Sequence, residues 1–196
     1  MQATEVDLNV FEAILARRSV RAYTPQEVDR TMIGTLLEAA VRAPTAMHGE
    51  PWAFIVLQGH EALKKLSDLA KPVFLEQIRK TGGEGSHSVE SFANPNFNLF
   101  HDAGTLILIG STTDGPFTSA DCWLAAENLM LAGCALGLGT CVIGAALPAL
   151  NLPQVKAQMG IPGEFTAIAP IIVGHPRGET SPTTRKPPLV LNIGMH

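Results

Sequence analysis

Hydrophobic positions along the chain change period several times, and each change marks an element. Asn9 to Arg17 places Val10, Phe11, Ile14 and Leu15 on one side of a short helix. Thr24-Pro25-Gln26-Glu27 reads as a capping box with proline at the first helical position. Val28, Met32, Ile33, Leu36, Leu37 and Ala40 then recur on one face, which predicts a helix that ends before Pro44. Trp52 to Leu57 (WAFIVL) is a continuous apolar run of β formers, as expected of a strand buried on both faces. Glu61 to Lys80 has helical spacing with a charged outer face, whereas Thr81 to Asn98, rich in Gly, Ser and Asn, has no period and reads as a loop or lid.

The second half repeats the alternation. Strands are predicted at Thr105 to Gly110, Thr140 to Ile143 and Thr166 to Gly174, with a helix from Pro153 to Met159 closing at Gly160. Phe117 to Leu138 is as long as a bilayer span of ~20 residues. It contains Asp121, Glu127 and Asn128, and ionisable groups at mid-bilayer are costly, so a buried core or interface helix is the better reading. His175 to His196 holds four prolines and no period, which predicts an extended arm. With no internal repeat and no linker, residues 1–196 read as a single domain, and the pattern alone leaves α/β and α+β both open.

Composition narrows the class. The chain is 46% hydrophobic and 16% charged, with a mean hydropathy of +0.18, against ~25% charged residues in an average soluble domain. So little charge on so much apolar residue implies that non-polar surface is hidden, and a second copy of the chain is one place to hide it. Fourteen Lys and Arg against eighteen Asp and Glu argue against a general nucleic-acid surface. The N-terminus has no basic and apolar leader, which predicts a cytoplasmic protein. Cys122, Cys134 and Cys141 form no CxxC pair and read as buried free thiols. The six histidines are scattered singly, so no metal site is expected.

Two segments carry candidate chemistry. Arg17-Arg18-Ser19-Val20-Arg21 puts three guanidinium groups and a hydroxyl within five residues, suited to chelating a phosphate or a polarised carbonyl; a solvated basic turn is the competing reading. Ala43 to Trp52 joins a helix end to a strand through two prolines, which fix its path and could present Thr45, His48 and backbone amides to a flat ligand, or form a purely structural turn. Gly137 to Gly144 fails as a dinucleotide fingerprint, because the spacing is not GxGxxG and the run leaves a helix to enter a strand. Neither GxxxxGK[ST] nor GxSxG occurs.

Taken in order, RRSVRAY at 17–23, APTAMHGEPWAFIV at 43–56, FNLFHDAGTLILI at 97–109, DCWLAAENLMLAGCALGLGTCVIG at 121–144, and PIIVGHPRG with TRKPP at 170–188 resemble the FMN-dependent nitroreductase family over about residues 9–188. The resemblance implies an α+β fold with a central mixed sheet flanked by helices, and a homodimer with FMN at the subunit interface. It also implies a ping-pong route from NADH or NADPH to a small electron-poor acceptor. Carried over by position, Arg17, Arg18, Ser19 and Arg21 would hold the flavin's phosphate and pyrimidine edge. Pro44, Thr45 and His48 would approach the isoalloxazine from the partner subunit, and Asn98 would lie near the pyrimidine ring. Ile143 and Gly144 would face the N5 region, and Arg185 would reach the phosphate.

In this family the flavin performs the chemistry, so no catalytic side chain is assigned. His48 stands where many members have Asn, Glu50 where Gln is common, and Thr183 where some have Lys, which leaves the acceptor open. A flavin-binding or storage protein without efficient turnover, and a member that consumes its flavin, are the alternative functions.

Overall fold

The computed structural model describes residues 8–80, 92 and 94–191; most of the loop expected at 81–98 and the end of the arm, 192–196, lie outside that set. The chain runs α1 (Val10–Ala16), α2 (Arg30–Ala40), a 3-10 turn (Ala46–His48), β1 (Trp52–Gln58), α3 (His60–Lys80) and β2 (Thr105–Ser111). It continues with α4 (Thr118–Ala135), β3 (Gly139–Val142), a second 3-10 turn (Gly144–Ala146), α5 (Leu147–Leu150), α6 (Pro153–Met159) and β4 (Thr166–Gly174). Helices lie on both sides of one four-stranded sheet of order β1-β2-β4-β3, so the architecture is α+β. All strand pairs are antiparallel; the mixed character expected of the sheet reduces, among the described residues, to a parallel bridge between Ser19 and Thr140.

β2 is buried at every position, and its two faces serve two cores. Leu106 and Leu108 pack with Leu63, Leu66, Phe100 and Leu150 on one side, and Ile107 and Ile109 with Leu36, Leu129 and Ile171 on the other. This is the period of two expected of a strand with helices on both faces, and each fully buried aliphatic side chain contributes roughly 1.5–3 kcal/mol. β1 departs from its expected double burial. It pairs only with β2, so as an edge strand it is half-buried, with Val56 open to solvent.

Local signals set most helix ends. Asn9 caps α1 by accepting from the backbone of Phe11 and Glu12, while Glu12 accepts from the Asn9 N–H, a complete capping box. α2 begins at Arg30, later than the Thr24–Glu27 box predicted, because Asp29 accepts from Met32 N–H and acts as the cap. Thr24 is instead held extended, its N–H donating to His175 O at 2.9 Å.

α4 buries Cys122, Ala125, Ala126 and Leu129 and leaves Trp123 and Leu124 exposed. Beside it, α1 presents Val10, Phe11, Ile14 and Leu15 to solvent, Phe11 at 74% and Leu15 at 73%. Among the described residues, no helix is long and apolar enough to cross a membrane.

Candidate functional site

The basic segment leaves the C-terminus of α1 at Arg17 in extended conformation and runs beside the sheet. Val20 N–H donates to Thr140 O at 3.0 Å, and Tyr23 bridges Pro176 just past β4. Two glycines permit this approach. A Cβ on Gly139 would lie 2.7 Å from Val20 Cβ, and one on Gly174 would lie 2.7 Å from the Tyr23 ring. Val20 and Tyr23 therefore bury against the strands while Arg21 stays exposed. The Tyr23 phenol donates to Val20 O at 2.7 Å, and burial pushes its ionisation well above the ordinary range.

The segment contributes to two clefts. Arg17 and Arg18 line the first, of about 280 Å³, with Cys134, Leu138, Thr140 and Pro176. Arg18 is partly committed to structure there, since its Nη1 donates to Leu15 O at 2.6 Å and to Arg17 O at 2.8 Å. Arg17 is freer: its Nε lies 3.9 Å from Glu127 Oε1, and that carboxylate is half exposed. Burial pushes the Cys141 thiol up, against the pull of Arg21, a hydrogen bond from Ser19, and Arg17.

The second cleft, of about 250 Å³, joins Arg21 and Asn98 with His101, Asp102 and Arg177. Asn98 shapes it, because its side chain accepts from Phe100 N–H and donates to Asp102 Oδ1, both at 2.9 Å. Sequence reasoning had not singled out His101, Asp102 or Arg177. His101 lay within the quoted FNLFHDAG run, but its meeting with Arg177 depends on the Tyr23–Pro176 bridge, a non-local pairing.

The other expected residues are placed as follows. Ile143 is buried, donating its N–H to Pro170 O at 2.8 Å, and Gly144, itself exposed, begins the 3-10 turn after β3, where an added Cβ would meet nothing within 4 Å. Pro44 and His48 are exposed and Thr45 is half-buried, on a loop where Met47, His48 and Glu50 all have positive φ. Such backbone in non-glycine residues costs roughly 1–3 kcal/mol each and clusters at functional sites. Arg185 lies on the exposed arm, its Nη1 donating to Thr184 O at 3.4 Å. Pro44, Thr45, His48 and Arg185 line neither of the two arginine clefts.

A basic segment pinned against an antiparallel sheet, with its arginines lining two clefts, gives this α+β protein an arrangement whose chemistry suits an anionic ligand. The chain belongs to the Nitroreductase family, whose profile matches residues 14–175. It is 27% identical over 183 residues to an FMN reductase (NADPH) of Bacillus subtilis, covering 91% of this chain and 70% of that one. It is 25% identical over 204 residues to an NADH dehydrogenase of Thermus thermophilus, covering 95% and 96%. The crystal structure of a nitroreductase with bound FMN from Bacteroides fragilis superposes with a TM-score of 0.81 at 26% identity, covering 95% of this chain and 100% of that one.

Proposed function

We propose that the protein is an FMN-dependent oxidoreductase that accepts hydride from NADH or NADPH and passes it, by a ping-pong route, to a small electron-poor acceptor such as a nitroaromatic, a quinone or an enone. The observation that carries this reading is the Arg17–Arg21 segment, fixed by backbone bonds to β3 and the end of β4 with its guanidinium groups in two clefts. A phosphate dianion and the polar edge of a flavin need separate cations, and the segment supplies both from one rigid strand-like run.

The residues fit FMN in charge and in spacing along the segment. Arg17, with Arg185 brought in by the arm, would hold the phosphate. Ser19 would bond to the ribityl chain, and Arg21 with Asn98 would hold the pyrimidine edge. When bound, FMN supplies the hydride chemistry. Arg21 contributes electrostatics: its guanidinium opposes the negative charge that reduction places on the N1 and C2 carbonyl edge. Backbone bonds from Val20 to Thr140 and from Thr24 to His175 anchor the segment that carries that cation beside the sheet.

The same reading makes the working unit a homodimer. The exposed apolar face of α1, with Trp123 and Leu124 of α4, is surface that a second copy would cover. Thr45 and His48, which stand apart from the arginine clefts of their own chain, would complete the partner's site. Initial rates with varied NAD(P)H at several fixed acceptor concentrations test the ping-pong step. Parallel double-reciprocal lines are expected, and lines converging to a point contradict it.

A further inference from the structure

His101 sits in the cleft with Arg21 for reasons of local geometry. Its N–H donates to Asn98 O at 2.9 Å, Ala103 N–H donates to Phe100 O at 3.0 Å, and His101 and Asp102 both take positive φ, 51° and 56°. The turn so formed holds the imidazole half-buried, edge to face with the Phe97 ring at 5.6 Å between centroids. On the basis of the FMN reading above, we propose that His101 is the proton-sensitive partner of Arg21 at the flavin's pyrimidine edge, neutral beside oxidised flavin and protonated beside reduced flavin.

The charges around the imidazole support this assignment. Arg21 comes from the basic segment, Arg177 from the stretch after β4, and Asp102 from the same turn, where Lys64 of α3 acts on it electrostatically; Tyr23 also lines the cleft and stays neutral. Burial holds the imidazole below its ordinary value, Arg21 pushes the same way, and Asp102 only partly opposes them. With oxidised flavin the cleft therefore carries two permanent guanidinium cations, the Asp102 carboxylate and a neutral histidine. Hydride transfer brings two electrons and one proton to the flavin and leaves one negative charge on the edge that Arg21 holds. His101 then gains an anionic neighbour and takes one proton from water. Overall, two electrons and two protons enter the holoprotein, one proton with the hydride and one on the imidazole.

This balance has a direct readout. For a two-electron couple each proton taken up adds about 30 mV per pH unit to the dependence of the midpoint potential. The potential of the bound flavin is measured by anaerobic dye equilibration from pH 5.5 to 8.5, in the wild-type holoprotein and in His101→Asn. Asparagine tolerates the positive φ of this turn and cannot titrate. The wild type is expected to show a slope near 60 mV per unit between the imidazole's pKa beside oxidised flavin and its higher pKa beside reduced flavin, while His101→Asn stays near 30 throughout. A variant-free measurement accompanies it: proton NMR of the His101 ring should give a higher pKa in the reduced holoprotein than in the oxidised one. Equal slopes together with an unmoved pKa, in protein that retains FMN normally, overturn the role of His101 and leave the flavin reading standing. Protein that takes up no FMN overturns both.

Discussion

The carboxylate of Asp121, on α4 and only 5% exposed, accepts the backbone N–H of Ala46 at 3.2 Å. One buried side chain thus ties α4 to the start of the loop in which Met47, His48 and Glu50 hold positive φ. Removing it frees a strained loop and leaves a half-buried donor without its acceptor, which costs about 1–3 kcal/mol. Asp121→Ala is expected to lower the free energy of unfolding by that amount and to open the 44–50 loop to limited proteolysis. Asp121→Asn, which keeps an acceptor oxygen, should lose less on both counts. Equal losses in the two variants would show that the bond to Ala46 does not hold the loop.

Gly139 decides how closely the basic segment lies against β3. Any Cβ there meets Val20 Cβ and both of its methyl groups within 2.8 Å, and a β-branched side chain cannot swing its own Cβ aside. Gly139→Ala should therefore displace residues 17–21, costing about 1–3 kcal/mol of stability from overpacking and weakening FMN retention. Gly34→Ala in α2 is the control. A Cβ there meets nothing within 4 Å, and exchanging a helical glycine for alanine is worth about 0.5–1 kcal/mol in favour of the fold. Urea denaturation with FMN binding by fluorescence quenching measures both.

Arg17→Ala and Arg185→Ala should each weaken FMN affinity at unchanged fold. A hydrogen bond to a charged group is worth about 1.5–3 kcal/mol, so a loss of roughly tenfold to a hundredfold is expected for each. Because the ion pair of Arg17 among the described residues is a 3.9 Å pairing with half-exposed Glu127, its removal should leave the melting temperature of the FMN-free protein nearly unchanged. Unchanged affinity in both variants would mean that the phosphate lies elsewhere.

Stability should fall on the alkaline side. Burial pushes Cys122 up to about 11 and raises Cys141 and Tyr23 as well. Unfolded thiols ionise near their ordinary value of about 8.5, so above that pH the unfolded chain has released protons that the native chain still holds. The unfolded state then binds fewer protons, and the free energy of unfolding decreases as pH rises from about 8.5. Urea midpoints at pH 7.5 and 9.5 test this: the second should be lower, and Cys122→Ala should remove part of the difference. A midpoint that rises with pH would contradict the buried, protonated state of these groups.

The elements were legible where local chemistry decides them. Asn9 with Glu12 caps the start of α1, Gly160 closes α6, and the apolar run from Thr166 to Gly174 became β4 with the bounds expected of it. The start of α2 was misread because Thr24-Pro25-Gln26-Glu27 and Asp29 are both plausible caps. A backbone bond from Thr24 to His175, distant in sequence, selects the second. The edge position of β1 was likewise invisible, since strand order is not written in a strand's own composition.

The same limit applies to the site. Arg17, Ser19 and Arg21 could be picked out as a motif, but not the meeting of Arg21 with His101 and Arg177, which needs the segment to lie beside β3 and the end of β4. Nor could the strain at Met47, His48 and Glu50 be foreseen, as none of them is the glycine that positive φ favours.

The account's central claim is that the arginine-bearing segment holds a working flavin. Its most direct test is an anaerobic titration of FMN-loaded protein with NADH and with NADPH, followed in the visible spectrum. The account predicts a yellow protein whose flavin absorption is bleached stoichiometrically by at least one nicotinamide and restored by a quinone or a nitroaromatic. Protein that stays colourless after incubation with FMN, or a bound flavin that neither nicotinamide bleaches, would contradict it.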